Sequence, residues 1–203
     1  NWFIPAALAA LFTVGCRGKK TTLTLFEQIS PEVSGIRFSN ELIEDEKLNI
    51  LTFEYFYNGT GVGIGDFNND DLQDVFFTSN MGRSRLYINK GNFRFEDITD
   101  RSGIETSGKW ASGVSVADVN QDGFSDIYIC YGGPQPIGKR ANELYINNGN
   151  NTFTEKAEAY GLADSGHSVQ AVFFDYDKDN DLDMYLLTNI MDQLGPNVIR
   201  PKK

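Results

Sequence analysis

A chain of 203 residues with 40% hydrophobic content is long enough for one domain and too apolar for wholesale disorder. Its formal charge of −10 excludes a nucleic-acid partner, which would require a basic face. Twenty glycines and frequent asparagine suit a turn-rich, all-β chain.

The first fifteen residues, NWFIPAALAALFTVG, are almost wholly apolar. They fall short of the ~20 residues a spanning helix needs but fit the apolar core of a secretory signal. Small residues leading into Cys16 resemble the lipobox of bacterial lipoproteins, although Thr13 stands where that family usually has Leu. The resemblance implies that 1–16 is a signal and lipobox segment. It makes Cys16 the lipidated first mature residue, holding an exported protein on a bacterial outer membrane or cell surface. An ordinary cleaved signal peptide and a buried apolar segment are the alternatives. Residues 17–25 then read as a linker.

Residues 26–190 carry internal repeats. FEQISPEVSGI at 26–36 is echoed by FEDITDRSGIE at 95–105. Tyr55, Phe56 and Tyr57 read as strand residues at a blade face, with a glycan-stacking platform as a second use. GTGVGIG at 59–65 lacks the Lys-Ser/Thr and the helix that a phosphate loop needs, so it reads as close strand packing. Then comes DFNNDDLQD at 66–74, followed by DVNQDGFSD at 118–126 and DYDKDNDLD at 175–183, starting 52 and 57 residues apart. These 27 positions hold 12 of the 28 acidic residues, where uniform scatter would give roughly four, so they are not generic solvated charge. Crowded carboxylates repel one another. Oxygen side chains alternating along a tight loop are what a hard divalent cation such as calcium requires.

Apolar, β-branched or aromatic runs flank every loop: GVGIG and VFFTSN, GVSVA and IYICYG, QAVFF and MYLLTN. Each Asp loop therefore joins two strands. Beyond them, RLYINKGNFRFEDIT matches ELYINNGNNTFTEKA, adding a third and fourth strand. No stretch shows sustained helical periodicity. Four-stranded units repeated at about fifty residues indicate blades of a β-propeller. Trp110 and His167 align at the starts of successive units and read as structural. Cys130, in the run DIYICYGG, reads as a buried thiol, with a Cys16–Cys130 disulfide as the alternative in an oxidising compartment.

The loops and their flanks resemble the FG-GAP/VCBS repeat family, whose blades also build integrin α propellers, and most closely the bacterial VCBS-repeat proteins related to cartilage acidic protein. The likeness runs from about residue 24 to 190. It implies an all-β partial propeller of about three four-stranded blades, and about three calcium ions. The implied ligands in loop one are Asp66, Asn68, Asp70, Asp74 and the Leu72 carbonyl. In loop two they are Asp118, Asn120, Asp122, Asp126 and the Phe124 carbonyl. In loop three they are Asp175, Asp177, Asp179, Asp183 and the Asp181 carbonyl. An EF-hand would need a Glu at loop position 12, where Phe77, Ile129 and Leu186 lie inside strands. Zinc would need a Cys/His cluster. Position 6 must turn sharply, which suits Gly123 and is tolerated by Asn180 and Asp71.

No catalytic constellation stands out. The expected function is a non-enzymatic, calcium-binding adhesion or ligand-binding module at the cell envelope, with an unidentified protein or glycan partner. A glycan-active lyase or hydrolase and a scaffold for further domains are the rivals. The third unit lacks its outer two strands and 191–203 shows no strand pattern, so the native protein is expected to continue beyond Lys203.

Overall fold

The computed structural model describes residues 25–135 and 139–189. The expected lipidation site Cys16, the expected signal segment, almost all of the expected 17–25 linker and the 191–203 tail lie outside them. After a helical turn α1 (Pro31–Ser34), strands β1 (Val62–Gly65), β2 (Asp74–Phe77), β3 (Arg85–Asn89) and β4 (Phe95–Asp97) form one antiparallel sheet in sequential order. A second turn, α2 (Thr99–Ser102), leads to a second sheet of the same order. Its strands are β5 (Ala111–Ala117), β6 (Asp126–Tyr131), β7 (Glu143–Asn147) and β8 (Phe153–Glu155). β9 (His167–Phe174) and β10 (Asp183–Asn189) pair as the third unit, which therefore shows two strands among the described residues. These are the blades of an all-β partial propeller, and among the described residues they do not close into a ring.

Blade-to-blade contact centres on the first strand of each unit: β1 packs on β5, and β5 on β9, with β6 also reaching β9. The glycines of 59–65 make the first approach possible. A Cβ on Gly63 would lie 2.9 Å from a Val116 methyl, and one on Gly65 2.8 Å from the other. At the second approach the contact is with backbone, since a Cβ on Gly113 would sit 2.3 Å from the Val169 carbonyl oxygen.

Between blades, alternate residues of one strand serve two cores, as the two-residue period of a strand allows. Ile127, Ile129 and Tyr131 of β6 join Phe67, Phe76, Leu86 and Ile88 of the first blade. Tyr128 and Cys130 face the third unit with Leu144 and Ala171. Every residue of β6 is buried, which is why DIYICY reads as an unbroken apolar run. Cys130 is a free, buried thiol, and burial pushes its pKa up to about 12, with Asp164 adding to the shift.

Two expectations are corrected. Tyr55–Tyr57 are turn rather than strand: the 51–58 segment folds into successive turns that bury Phe53 and Phe56 against Trp110. FRFEDIT is a strand only over Phe95–Asp97. Asp97 Oδ1 accepts from the Thr99 amide at 2.9 Å and its hydroxyl at 2.6 Å, so a side chain takes over the backbone's hydrogen bonding and turns the chain into α2. The 26–36 echo has a structural meaning here. α1 and α2 both end on left-handed glycines, Gly35 (φ 77°) and Gly103 (φ 78°). Each is packed against the fourth strand of the following blade, at the carbonyls of Phe95 and Phe153 respectively.

Candidate metal loops

All three Asp loops close on the same register. Gly65 pairs with Asp74, Ala117 with Asp126 and Phe174 with Asp183, so position 9 opens the second strand opposite the residue that precedes position 1. Position 6 has the expected left-handed backbone: Asp71 (φ 65°), Gly123 (φ 88°) and Asn180 (φ 73°). Position 4 does too, at Asn69 (56°), Gln121 (58°) and Lys178 (66°). Two left-handed residues in one loop coil the chain around its own side chains.

Position 1 anchors that coil. Asp66 accepts from the amides of Asp70 and Asp71 at 3.2 and 2.8 Å. Asp118 accepts from Asp122 and Gly123 at 3.1 and 2.8 Å. Asp175 accepts from Lys178 and Asn180 at 2.6 and 3.2 Å. Position 5 turns back onto position 7: Asp70, Asp122 and Asp179 take the amides of Leu72, Phe124 and Asp181 at 2.9, 2.9 and 3.1 Å. Position 3 is an amide in the first two loops, where Asn68 and Asn120 donate to Asp70 and Asp122.

Position 9 is the buried member in the two complete blades, and Asp183 of loop three is half-buried. Asp74 accepts from Phe67 N–H at 2.9 Å and Asn89 N–H at 2.7 Å. Asp126 accepts from Val119 and Asn147 at 2.9 and 2.8 Å. Each carboxylate thus ties the loop to the end of the third strand and keeps further lone pairs. Burial raises the pKa of Asp74, opposed by those two amides and reinforced by Asp70 and Asp66. Asp126 is pushed up to about 6 by burial, against its amide bonds, with Asp122 and Asp118 adding to the shift. A cation between these groups would invert that preference.

Asn89 and Asn147, the last residues of the LYIN strands, are support residues that reading the loops alone missed. Their side-chain amides donate to Gln73 O and to Phe67 O and Ser125 O, at 2.9, 2.8 and 3.1 Å. The signal was present: LYIN recurs with its Asn in both complete blades.

Among the described residues, three carboxylates meet in loop three. One oxygen each from Asp175, Asp177 and Asp183 lie within 4.8 Å of one another. Two oxygens that share a calcium ion at up to ~2.6 Å can be at most about 5.2 Å apart, so this all-oxygen set fits that ion. Asp179 is not in the group. It faces Asp181, whose pKa is raised first by the Asp179 charge.

Adjacent loops are also strapped together. The position-4 side chain Asn69 donates to the position-6 carbonyl of Gly123 in the next loop at 3.0 Å. Gln121 does the same to Asn180 at 2.6 Å. The strap runs from position 4 to position 6 both times, which fixes a repeating relation between neighbouring loops.

Residues 55–129 and 133–186 match the FG-GAP-like repeat family. This chain belongs to that family. The matched FG-GAP segments contain all three Asp loops. The chain is 28% identical to cartilage acidic protein 1 of Xenopus tropicalis over 193 residues, covering 94% of this chain and 28% of that protein. It is 30% identical to integrin alpha-8 of Gallus gallus over 144 residues, 63% of this chain and 14% of that one. Integrin alpha-PS5 of Drosophila melanogaster is 33% identical over 86 residues, covering 37% and 8%. This FG-GAP chain therefore spans less than a third of the length of these relatives. Among its described residues no helix is long and apolar enough to cross a membrane.

Proposed function

We propose that this chain is the calcium-binding propeller segment of an exported, non-enzymatic adhesion or ligand-binding protein, held at a bacterial envelope by lipid on Cys16. The observation that carries the metal reading is the meeting of Asp175, Asp177 and Asp183 oxygens in a loop whose template recurs twice more in phase. About three ions are expected, with the ligand sets named for the three loops. The ion would supply the positive charge that lets these carboxylates stay together. The chain's own residues do the positioning: position 1 coils the loop, position 9 pins it to the blade. Similarity to an integrin alpha subunit supports the adhesion reading. The apolar run ahead of Cys16 supports export and the lipid anchor.

Calorimetric titration and thermal melting with calcium or chelator test the metal reading. Calcium at a hundredfold its dissociation constant stabilises by about 2.7 kcal/mol per site, so the melting temperature should rise by several degrees. Loop three, with four carboxylate ligands against three in the others, should bind tightest. An unchanged melting temperature in millimolar calcium refutes the metal reading. Cys16→Ser should release the protein from membranes or leave an unprocessed precursor. A wild-type protein wholly in the aqueous phase of a detergent extraction refutes the anchor.

A further inference from the structure

At the opposite end of the inner strands from the Asp loops lies a cavity of about 200 Å³. β5 sets the separation: it begins beside Trp110 and ends seven residues later beside Asp118, a run of roughly 23 Å at strand rise. Three segments distant in sequence meet at the cavity: the turns 53–59 ahead of the first blade, Trp110 and Ser112 at the start of the second, and His167–Val169 at the start of the third unit.

Its walls are aromatic. Phe53 stands edge-on to Trp110, centroids 5.2 Å apart, and to Tyr55 at 6.0 Å. Its serines are committed: Ser112 Oγ donates to the carbonyls of Cys130 and Ser168, and Ser168 Oγ accepts from the Asn142 amide and reaches Asp164. No hydrogen bond within the described residues uses the side chains of Asn58 or Asn189 or the Tyr55 hydroxyl. His167 Nδ1 lies 3.2 Å from the Gly132 carbonyl. A carbonyl only accepts, so Nδ1 carries the proton in this contact, and in the neutral form of the ring Nε2 is then the acceptor. Among the described residues no Asp, Glu, Lys or Arg lines the cavity, although 23% of the chain is charged. A charged ligand entering it would lose hydration and gain no counter-charge. The volume equals roughly seven waters, room for one hydroxylated ring.

We propose that this cavity binds a single neutral sugar ring, stacked on the aromatic wall and hydrogen-bonded by His167 Nε2 and the Asn58 and Asn189 amides. Aromatic faces meet the C–H face of such a ring while amides and imidazole match its hydroxyls, the mix of apolar wall and few polar groups typical of ligand sites. The inference deepens the ligand-binding reading and rests on it. It gives a shared role to Tyr55, Trp110 and His167, which lie more than fifty residues apart in sequence.

Trp110 is one of two tryptophans, so a Trp2→Phe background makes its fluorescence report on the cavity. Titration with glucose, galactose, mannose and N-acetylglucosamine should give a saturable change for at least one, at ~1 mM, the range of weak single-ring binding. Glucuronate should bind at least about tenfold more weakly, for want of a counter-charge. His167→Ala and Tyr55→Ala should each weaken the neutral sugar about tenfold, while the calcium-dependent rise in melting temperature persists and reports an intact fold. No saturable response to any of the four, equal binding of glucuronate, or unaltered binding in both variants overturns the proposal. A protein that still attaches to glycan-coated or matrix-coated surfaces while failing these tests overturns the cavity alone. One that attaches to no such surface overturns the ligand-binding reading itself.

Discussion

Replacing Gln121 with alanine removes the strap between the second and third metal loops and nothing else that the structure assigns to that side chain. Gln121 sits between the expected position-3 and position-5 ligands of loop two, on a left-handed backbone (φ 58°). Its Nε2 reaches the Asn180 carbonyl at 2.6 Å, and the next carbonyl along, that of Asp181, is an expected ligand in loop three. On the metal reading, an ion in loop two would order Gln121, which would then hold the 180–181 peptide before loop three takes its own ion. Ordering already completed by the first ion need not be repeated by the second, which is positive cooperativity. The link is one exposed hydrogen bond between uncharged groups, so its net value is about 0.5–1.5 kcal/mol. That corresponds to roughly 2- to 12-fold in affinity. Calorimetric calcium titration of wild type, Gln121→Ala, Asp118→Ala and the double variant measures it. Each single change should weaken the loop-three site by that factor. The double variant should be no worse than either, because both break the same link. Independent, multiplying effects on loop three, or an unchanged loop-three affinity in Gln121→Ala, would refute the coupling.

Gly113→Ala should destabilise the chain by about 1–3 kcal/mol in denaturant unfolding, because its Cβ meets the Val169 carbonyl oxygen at 2.3 Å and backbone cannot step aside. Gly123→Ala meets nothing within 4 Å and should cost only the left-handed strain, about 1–2 kcal/mol. Glu143→Ala should cost about 3 kcal/mol: its carboxylate accepts from Tyr131 and Tyr145 hydroxyls at 2.6 and 3.1 Å and pairs with Lys109. Glu143→Gln should recover part of that stability by still accepting from one tyrosine. Cys130 should resist alkylation at pH 8 in the native protein. With its thiol pushed up to about 12, the thiolate fraction there is on the order of 10⁻⁴, so labelling should track global unfolding. The folded state prefers the protonated thiol. That stabilisation is present below the unfolded thiol's ordinary value and is lost only as pH rises towards 12, so neutral-range stability should not depend on it.

The blades were legible in the sequence because their signals are local and repeated. Alternating apolar residues, a turn-forming Asp loop and a recurring LYIN each fix a strand or its end without reference to distant residues, and three copies in phase outweigh the ambiguity of one. The left-handed residue at position 6 was legible for the same reason. Position 4 was not, because Asn69, Gln121 and Lys178 share no residue type; their common conformation follows from the coil that position 1 imposes on the whole loop. Tyr55–Tyr57 have strand composition, yet they lie in turns because Phe53 and Phe56 gain more from burial against Trp110, a residue more than fifty positions away, than from pairing in a sheet. The inter-loop straps, the shared use of β6 by two cores and the cavity at Trp110 and His167 depend likewise on which blade packs against which. Periodicity states that blades exist. Only their packing, set by close backbone approach at Gly63, Gly65 and Gly113, decides which side chains from separate blades come to share one site.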